Sequence, residues 1–246
     1  MRFTPLLAAL SAALALSHAQ AAIVSIDNFN NPFNSTFSVG TGLTATSGSL
    51  VTGPGNLATT RILTNRIDTA AVVNATGNLS SIGVGPSPNF FANALNVANA
   101  NGIQSVNTVT WTLNTPAVAT LLSSPFLASL VFDIILSDTG FPAADTRVDF
   151  ELIDAANVSS QFKTVFLPSS GAANSSFLLD NSQRSALSTG SRLRMTVSGA
   201  PGYDFSLDTL SLNVAEPQSV PEPASLALVS LALLGAGVLT RRRQAA

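Results

Sequence analysis

Residues 147–167 read Arg-Val-Asp-Phe-Glu-Leu-Ile-Asp-Ala-Ala-Asn-Val-Ser-Ser-Gln-Phe-Lys-Thr-Val-Phe-Leu. Val148, Phe150 and Leu152 alternate with Asp149, Glu151 and Ile153; Phe162, Thr164 and Phe166 alternate with Lys163, Val165 and Leu167. A period of two is that of a strand with one face in a core and the other toward water. The pattern spreads outward from here. Leu193, Met195 and Val197 alternate with Arg192, Arg194 and Thr196, and Leu130 to Leu136 is apolar enough for a central strand. Val106 to Leu113 and Phe205 to Leu212 add two more strands, and Ile23 to Phe29 starts the sheet. Turn residues separate the runs: Gly53-Pro54-Gly55-Asn56, Gly85-Pro86-Ser87-Pro88, Asp138-Thr139-Gly140-Phe141-Pro142 and Gly199-Ala200-Pro201-Gly202. No long helix alternates with the strands, which argues against a parallel α/β sheet. The expected class is all-β: a single antiparallel β-sandwich, jelly-roll-like, over residues 22–214. Phe90 to Ala100 and Ser182 to Leu187 are each expected to form a short helix.

Composition narrows the chemistry. Among 246 residues there is no Cys, and there is one each of His (His18), Lys (Lys163), Trp (Trp111) and Tyr (Tyr203). A disulfide framework, a thiolate metal site and a cysteine nucleophile are therefore excluded. Charged residues are only 10% of the chain, against roughly 25% in an average soluble domain. The body from 22 to 219 carries seven basic and twelve acidic residues, a net of −5, so no basic surface for nucleic acid is expected.

The two ends read as addresses. Met1-Arg2-Phe3-Thr4 carries one positive charge, Leu6 to Leu16 is an apolar run, and Ala19-Gln20-Ala21 is an A-x-A site. Together these form a secretory signal over 1–21, cleaved after Ala21. Cleavage removes His18 and leaves a mature chain without His. At the other end, 215–223 reads as a linker containing Val220-Pro221-Glu222-Pro223, 224–240 as a transmembrane helix, and 241–246 as a basic cytoplasmic tail led by Arg241-Arg242-Arg243. Sixteen residues from Ala224 to Leu239 give a helix of roughly 24 Å, just short of a ~30 Å hydrocarbon core, and snorkelling Arg side chains complete the span. The Arg cluster stays inside by the positive-inside rule, which places the body outside the membrane.

Pro221-Glu222-Pro223, the apolar stretch Leu226 to Leu239 and Arg241 to Arg243 resemble the PEP-CTERM sorting signal in all three parts. The resemblance implies recognition by an exosortase, a membrane-embedded protease or transpeptidase. It further implies a Gram-negative host that makes exopolysaccharide, often in a biofilm. The chain would be exported across the inner membrane, held there as a membrane-anchored precursor, and then sorted to the cell surface or extracellular matrix. In that family the body varies freely. Within the body, Phe205-Ser206-Leu207-Asp208-Thr209-Leu210-Ser211-Leu212 looks like the closing strand of carbohydrate-binding jelly rolls.

The body offers little for catalysis. Without His there is no Ser-His-Asp arrangement, and no G-x-S-x-G occurs. Ser160-Gln161-Phe162-Lys163 matches S-x-x-K, but on a strand positions three apart face opposite ways. Asp149 and Glu151, roughly 6.5 Å apart along one strand face, are the one carboxylate pair of glycosidase type. Arg147 shares their face and Arg192 and Arg194 repeat the pattern on another strand, so cross-strand ion pairs explain all five. Asp133 lies in an apolar run, and needs an Arg or cation partner, an edge position or a bulge. Asp27 and Asp208 interrupt apolar strands and are the candidate calcium ligands. Trp111 shares a face with Val109 and Leu113, as a core residue would, whereas Tyr203 is expected to be an exposed loop aromatic. The expectation is a non-enzymatic structural or biofilm-matrix protein with no catalytic residues and no cofactor. The alternatives are a carbohydrate-binding module and a carboxylate-dependent glycoside hydrolase.

Overall fold

In a computed structural model of the chain, the described residues are 22–30, 44–51, 55–70, 80–85, 91, 93–123, 127–138, 146–167 and 172–215. The signal segment with Ala19 and Ala21, the residues Pro221, Glu222, Pro223, Arg241, Arg242 and Arg243, and the 224–240 span lie outside them. Among the described residues no helix is long and apolar enough to cross a membrane.

Among the described residues, twelve strands form two antiparallel sheets. They are β1 (Ala22–Asp27), β2 (Thr44–Leu50), β3 (Ala58–Ala70), β4 (Ser80–Val84), β5 (Leu95–Asn99), β6 (Ile103–Leu113), β7 (Leu127–Asp138), β8 (Arg147–Ile153), β9 (Ser159–Phe166), β10 (Ala173–Leu178), β11 (Arg192–Ser198) and β12 (Asp204–Ala215). One sheet has the order β10-β7-β12-β5-β4, with β1 also paired to β12; the other has the order β2-β3-β6-β11-β8-β9. The last strand is thus internal to the first sheet, so that sheet cannot assemble until the chain is complete to about residue 215. Ala22 and Val214 are register partners, and Ala21–Val214 is one compact unit.

The core is the inward alternation of both sheets. Trp111, Val109, Met195, Leu193, Phe150 and Val148 come from one sheet, and Phe132, Phe205, Leu207, Leu210, Leu95 and Val97 from the other. At one side an aromatic quartet joins the layers. Phe132 of β7 lies 5.2 Å from Phe150 of β8, Phe150 lies 5.4 Å from Phe177 of β10, and Phe177 lies 5.5 Å from Phe162 of β9. Their tilted and edge-on geometries are the favoured aromatic arrangements.

Among the described residues, two helices complete the body. In α1 (Thr115–Leu122), the Asn114 side chain caps the Ala117 N–H and Pro116 sits in the first turn. In α2 (Asn181–Ser188), Asp180 and Gln183 form a capping box. The Ser182–Leu187 helix is therefore present. The described residues of the Phe90–Ala100 segment form no helix: Leu95–Asn99 is β5, with Leu95 and Val97 in the core. The Asn/Ala-rich composition hid this short period of two.

The alternation of β9 also needs correction. A register shift opposite Phe150/Glu151 pairs Phe150 with Lys163 and Glu151 with Gln161, leaving Phe162 as an extra residue. This bulge changes the parity. Phe162 and Val165 face the core, while Thr164 and Phe166 lie on the outer face beside Asp149 and Arg147.

Candidate functional site

The most deeply buried charge among the described residues is an ion pair between the sheets. The register of β1 slips between Ser25 and Asp27, and Asp27 points into the sandwich. Arg61 enters from β3 and Trp111 from β6, both 0% exposed. Asp27 Oδ2 accepts from Arg61 Nη1 (2.6 Å) and Trp111 Nε1 (2.9 Å), and Oδ1 accepts from the Phe29 N–H (3.0 Å). The Arg61 guanidinium also lies 5.5 Å from the Phe29 ring centroid. This is how a buried carboxylate is made tolerable: paired, and hydrogen-bonded on both oxygens. Trp111 is a core residue, as expected.

The structure does not join Asp27 and Asp208 in one site. Asp208 is on the opposite, outer side of its sheet, close enough to Asp133 to feel its charge; burial first, then Asp133, raises its pKa. Asp133 is half-buried beside the edge strand, opposite Asn174 of β10. Asp204 is likewise raised, by burial and then by Asp138, against the opposing hydrogen bond from the Asn99 N–H. No group of three or more His, Cys, Asp or Glu that could hold a metal ion occurs among the described residues.

Asp149 and Glu151 do lie on the outer face of β8, and both are engaged. Asp149 Oδ2 is 3.1 Å from Arg147 Nε, and Oδ1 accepts from Thr164 Oγ1 (2.7 Å) and Gln161 Nε2 (3.0 Å). Glu151 Oε2 accepts from Ser159 Oγ (2.8 Å) and Arg194 Nη1 (3.2 Å). Arg192 donates to Asn157 rather than to a carboxylate. Ser160 and Lys163 are on a strand; Ser160 pairs with Leu152, and the Lys163 ammonium lies 6.0 Å from the Phe177 ring centroid.

Tyr203 reverses its expectation: it is 0% exposed. Its hydroxyl accepts from Asn107 Nδ2 (2.8 Å) and donates to the Val197 carbonyl (3.0 Å). Asn107 Oδ1 accepts from Asn65 Nδ2 (2.7 Å), and Ser105 Oγ donates to Asn99 Oδ1 (2.6 Å), extending a buried polar chain across the sandwich. Gly202, at φ +81°, makes the turn that delivers Tyr203 inward. Burial pushes the phenol up to about 12, against opposing hydrogen bonds from Ser105, Asn107 and Asn99. A proton held in the fold but released by the unfolded chain adds stability that is complete below about pH 10 and is lost as pH rises toward 12. Because this is the chain's one Tyr, ultraviolet phenolate titration reads it alone. The expected midpoint is about 12 when folded, falling to about 10 in denaturant.

A polar surface spans the outer face of the sheet β2-β3-β6-β11-β8-β9. The pairing registers place Thr46, Thr64, Thr108, Thr196, Asp149 and Thr164 in one line across all six strands. A parallel line on one side runs Thr44, Arg66, Val106, Ser198, Arg147, Phe166; on the other it runs Gly48, Ile62, Thr110, Arg194, Glu151, Gln161. Sequence reading missed this row because its members come from strands far apart in the chain. The T-x-T-x-T run at Thr108, Thr110 and Thr112 was its one local trace.

Comparison with known proteins gives distant likenesses for the body and one assignment for the tail. The CBM22-1 xylan-binding domain from Paenibacillus barcinonensis is 10% identical, with a TM-score of 0.33 over 82% of this chain and 99% of that one. A family 11 carbohydrate-binding module from Clostridium thermocellum is 10% identical, with a TM-score of 0.35 over 78% of this chain and 96% of that one. A Parabacteroides distasonis protein is 11% identical, with a TM-score of 0.34 over 47% of this chain, which spans 39% of that protein's length. No curated relative matches the chain. Residues 219–243 match the model of the PEP-CTERM protein-sorting motif, and the chain is a carrier of that motif.

Proposed function

We propose that this is an exported, exosortase-sorted protein of a Gram-negative cell surface or exopolysaccharide matrix, with a non-enzymatic body. The observation that carries the reading is the tripartite tail: Pro221-Glu222-Pro223, an uncharged apolar stretch and three Arg, inside the matched residues 219–243. The precursor is held in the inner membrane by that tail and released or transferred by the exosortase. Replacing Pro221, Glu222 and Pro223 together by Ala in an exosortase-positive host is expected to leave the protein in the membrane fraction. Unchanged release would overturn the sorting reading.

The non-enzymatic part is supported by the state of the acids. Asp149, Glu151 and Asp27 are each held by cations and hydroxyl or N–H donors, which is the arrangement of structural ion pairs. A glycosidase instead needs two carboxyls with divergent proton affinities on either side of a bond. A second reading, that the body binds polysaccharide, is favoured by the hydroxyl row across the outer sheet face.

A further inference from the structure

We infer that the hydroxyl row of the outer sheet face is a binding track for a neutral, extended, β-linked polysaccharide, laid across the strands with Phe166 as an aromatic platform beside its end. This rests on the polysaccharide-binding reading above and gives it a location and a ligand class.

Geometry comes first. Strands spaced ~4.8 Å apart make the six-member row roughly 24 Å long, room for about five hexose units of an extended chain. An extended β-linked hexose chain repeats at nearly the strand interval, so each sugar meets one strand. The row consists of short side chains, and longer ones stand at intervals beside it, Arg66, Arg147 and Phe166 on one side and Ile62, Arg194 and Glu151 on the other, among the short Thr44, Ser198, Gly48 and Thr110. An open row of this length fits a polymer rather than a compact ligand.

Chemistry comes second. Thr46 and Thr64 hydroxyls lie 3.4 Å apart and share a hydrogen bond, whereas Thr108 and Thr196 have no side-chain partner among the described residues. Each keeps one donor and two acceptor sites for a hydroxylated ligand. The row's one carboxylate, Asp149, is neutralised by Arg147, so the track carries no net charge and selects against polyanions. Ile62 is 36% exposed and Phe166 65% exposed, both on this face, and they offer apolar surface to the C–H faces of sugar rings.

The test is affinity electrophoresis of the full chain in detergent through gels holding hydroxyethylcellulose, alginate or dextran. Retardation is expected with hydroxyethylcellulose, the neutral extended glucan, and not with anionic alginate or coiled dextran. The double variant Thr108→Val/Thr196→Val keeps β-branched shape and loses only hydroxyls. It and Phe166→Ala should each weaken retardation at least tenfold, while Asn174→Ser on the other sheet's outer face leaves it unchanged. Trp111 emission confirms that each variant is folded. Undiminished hydroxyethylcellulose binding by the double variant overturns the track but leaves polysaccharide binding standing. Binding only to alginate or dextran overturns the ligand class. No retardation by any of the three overturns the track and the reading beneath it. Thermal hysteresis without retardation reassigns the threonine array to ice.

Discussion

Arg61→Met should destabilise the body by about 3–5 kcal/mol, because it strands the Asp27 carboxylate inside the sandwich without its cation. In a body of this size that is a fall in Tm of roughly 6–20 °C. The pair does more than satisfy itself. Asp27 belongs to β1, Arg61 to β3 and Trp111 to β6, so one carboxylate fastens the first strand to the facing sheet. β1 is also held by its ladder to β12 and by the Leu57 N–H donating to the Ser25 carbonyl (2.8 Å). The double variant Asp27→Leu/Arg61→Met removes both charges together and should recover most of the loss, since a buried pair replaced by apolar side chains is often neutral. Chemical denaturation followed by Trp111 emission measures both, and Trp111 reports locally because its indole N–H bonds Asp27. A loss below about 1 kcal/mol in Arg61→Met would mean that the pair is not structural.

Phe150→Ala should cost a similar amount, about 3–5 kcal/mol, by opening a cavity in the aromatic quartet. Phe150 is 0% exposed and touches rings from both sheets: Phe132 and Phe177 from one, Phe162 from its own. The quartet joins β7 and β10 to β8 and β9; β7 lies one strand beyond β12 from β1 and β8 one strand beyond β11 from β6, and no quartet ring bonds Asp27, Arg61 or Trp111. The two losses should therefore add within about 0.5 kcal/mol in the combined variant. Phe150→Leu keeps much of the volume and should cost under half as much. Thermal unfolding of the two Phe150 variants checks this. Equal Tm values for both would show that the rings do not hold the sheets.

The two supports differ in how far they were legible. The alternation of β8 and β11 and the apolar runs of β6, β7 and β12 are plain in sequence, and they decide the class of fold. β3 is not, because two of its inward positions are Arg61 and Asn65, and both are buried at 0% exposure. A strand whose core face carries a guanidinium and an amide looks exposed until the partners Asp27 and Asn107 are seen. Tyr203 failed for the same reason: Gly202-Tyr203-Asp204 has a loop's composition, but the phenol is drawn inward by Asn107 and Val197. In β9 a single bulge reversed the faces of Thr164 and Phe166, which periodicity cannot reveal. The carboxylates of β8 lie on a charged face as read: Asp149 pairs with Arg147 two residues away, which is local information, and Glu151 with Arg194 across the strands, while Arg192 bonds Asn157 instead of a carboxylate. The hydroxyl row needs the registers of five strand pairings at once, and no single segment contains it. The tail stands at the other extreme, with its three parts contiguous in the last residues.

The central claim is that the chain's end is sorting information, read once and then removed or exchanged. Intact mass spectrometry of the mature protein from an exosortase-positive host tests it most directly. The account predicts a polypeptide that begins at Ala22 and has lost the apolar stretch and Arg241-Arg242-Arg243. A mature chain still ending at Ala246 would contradict it.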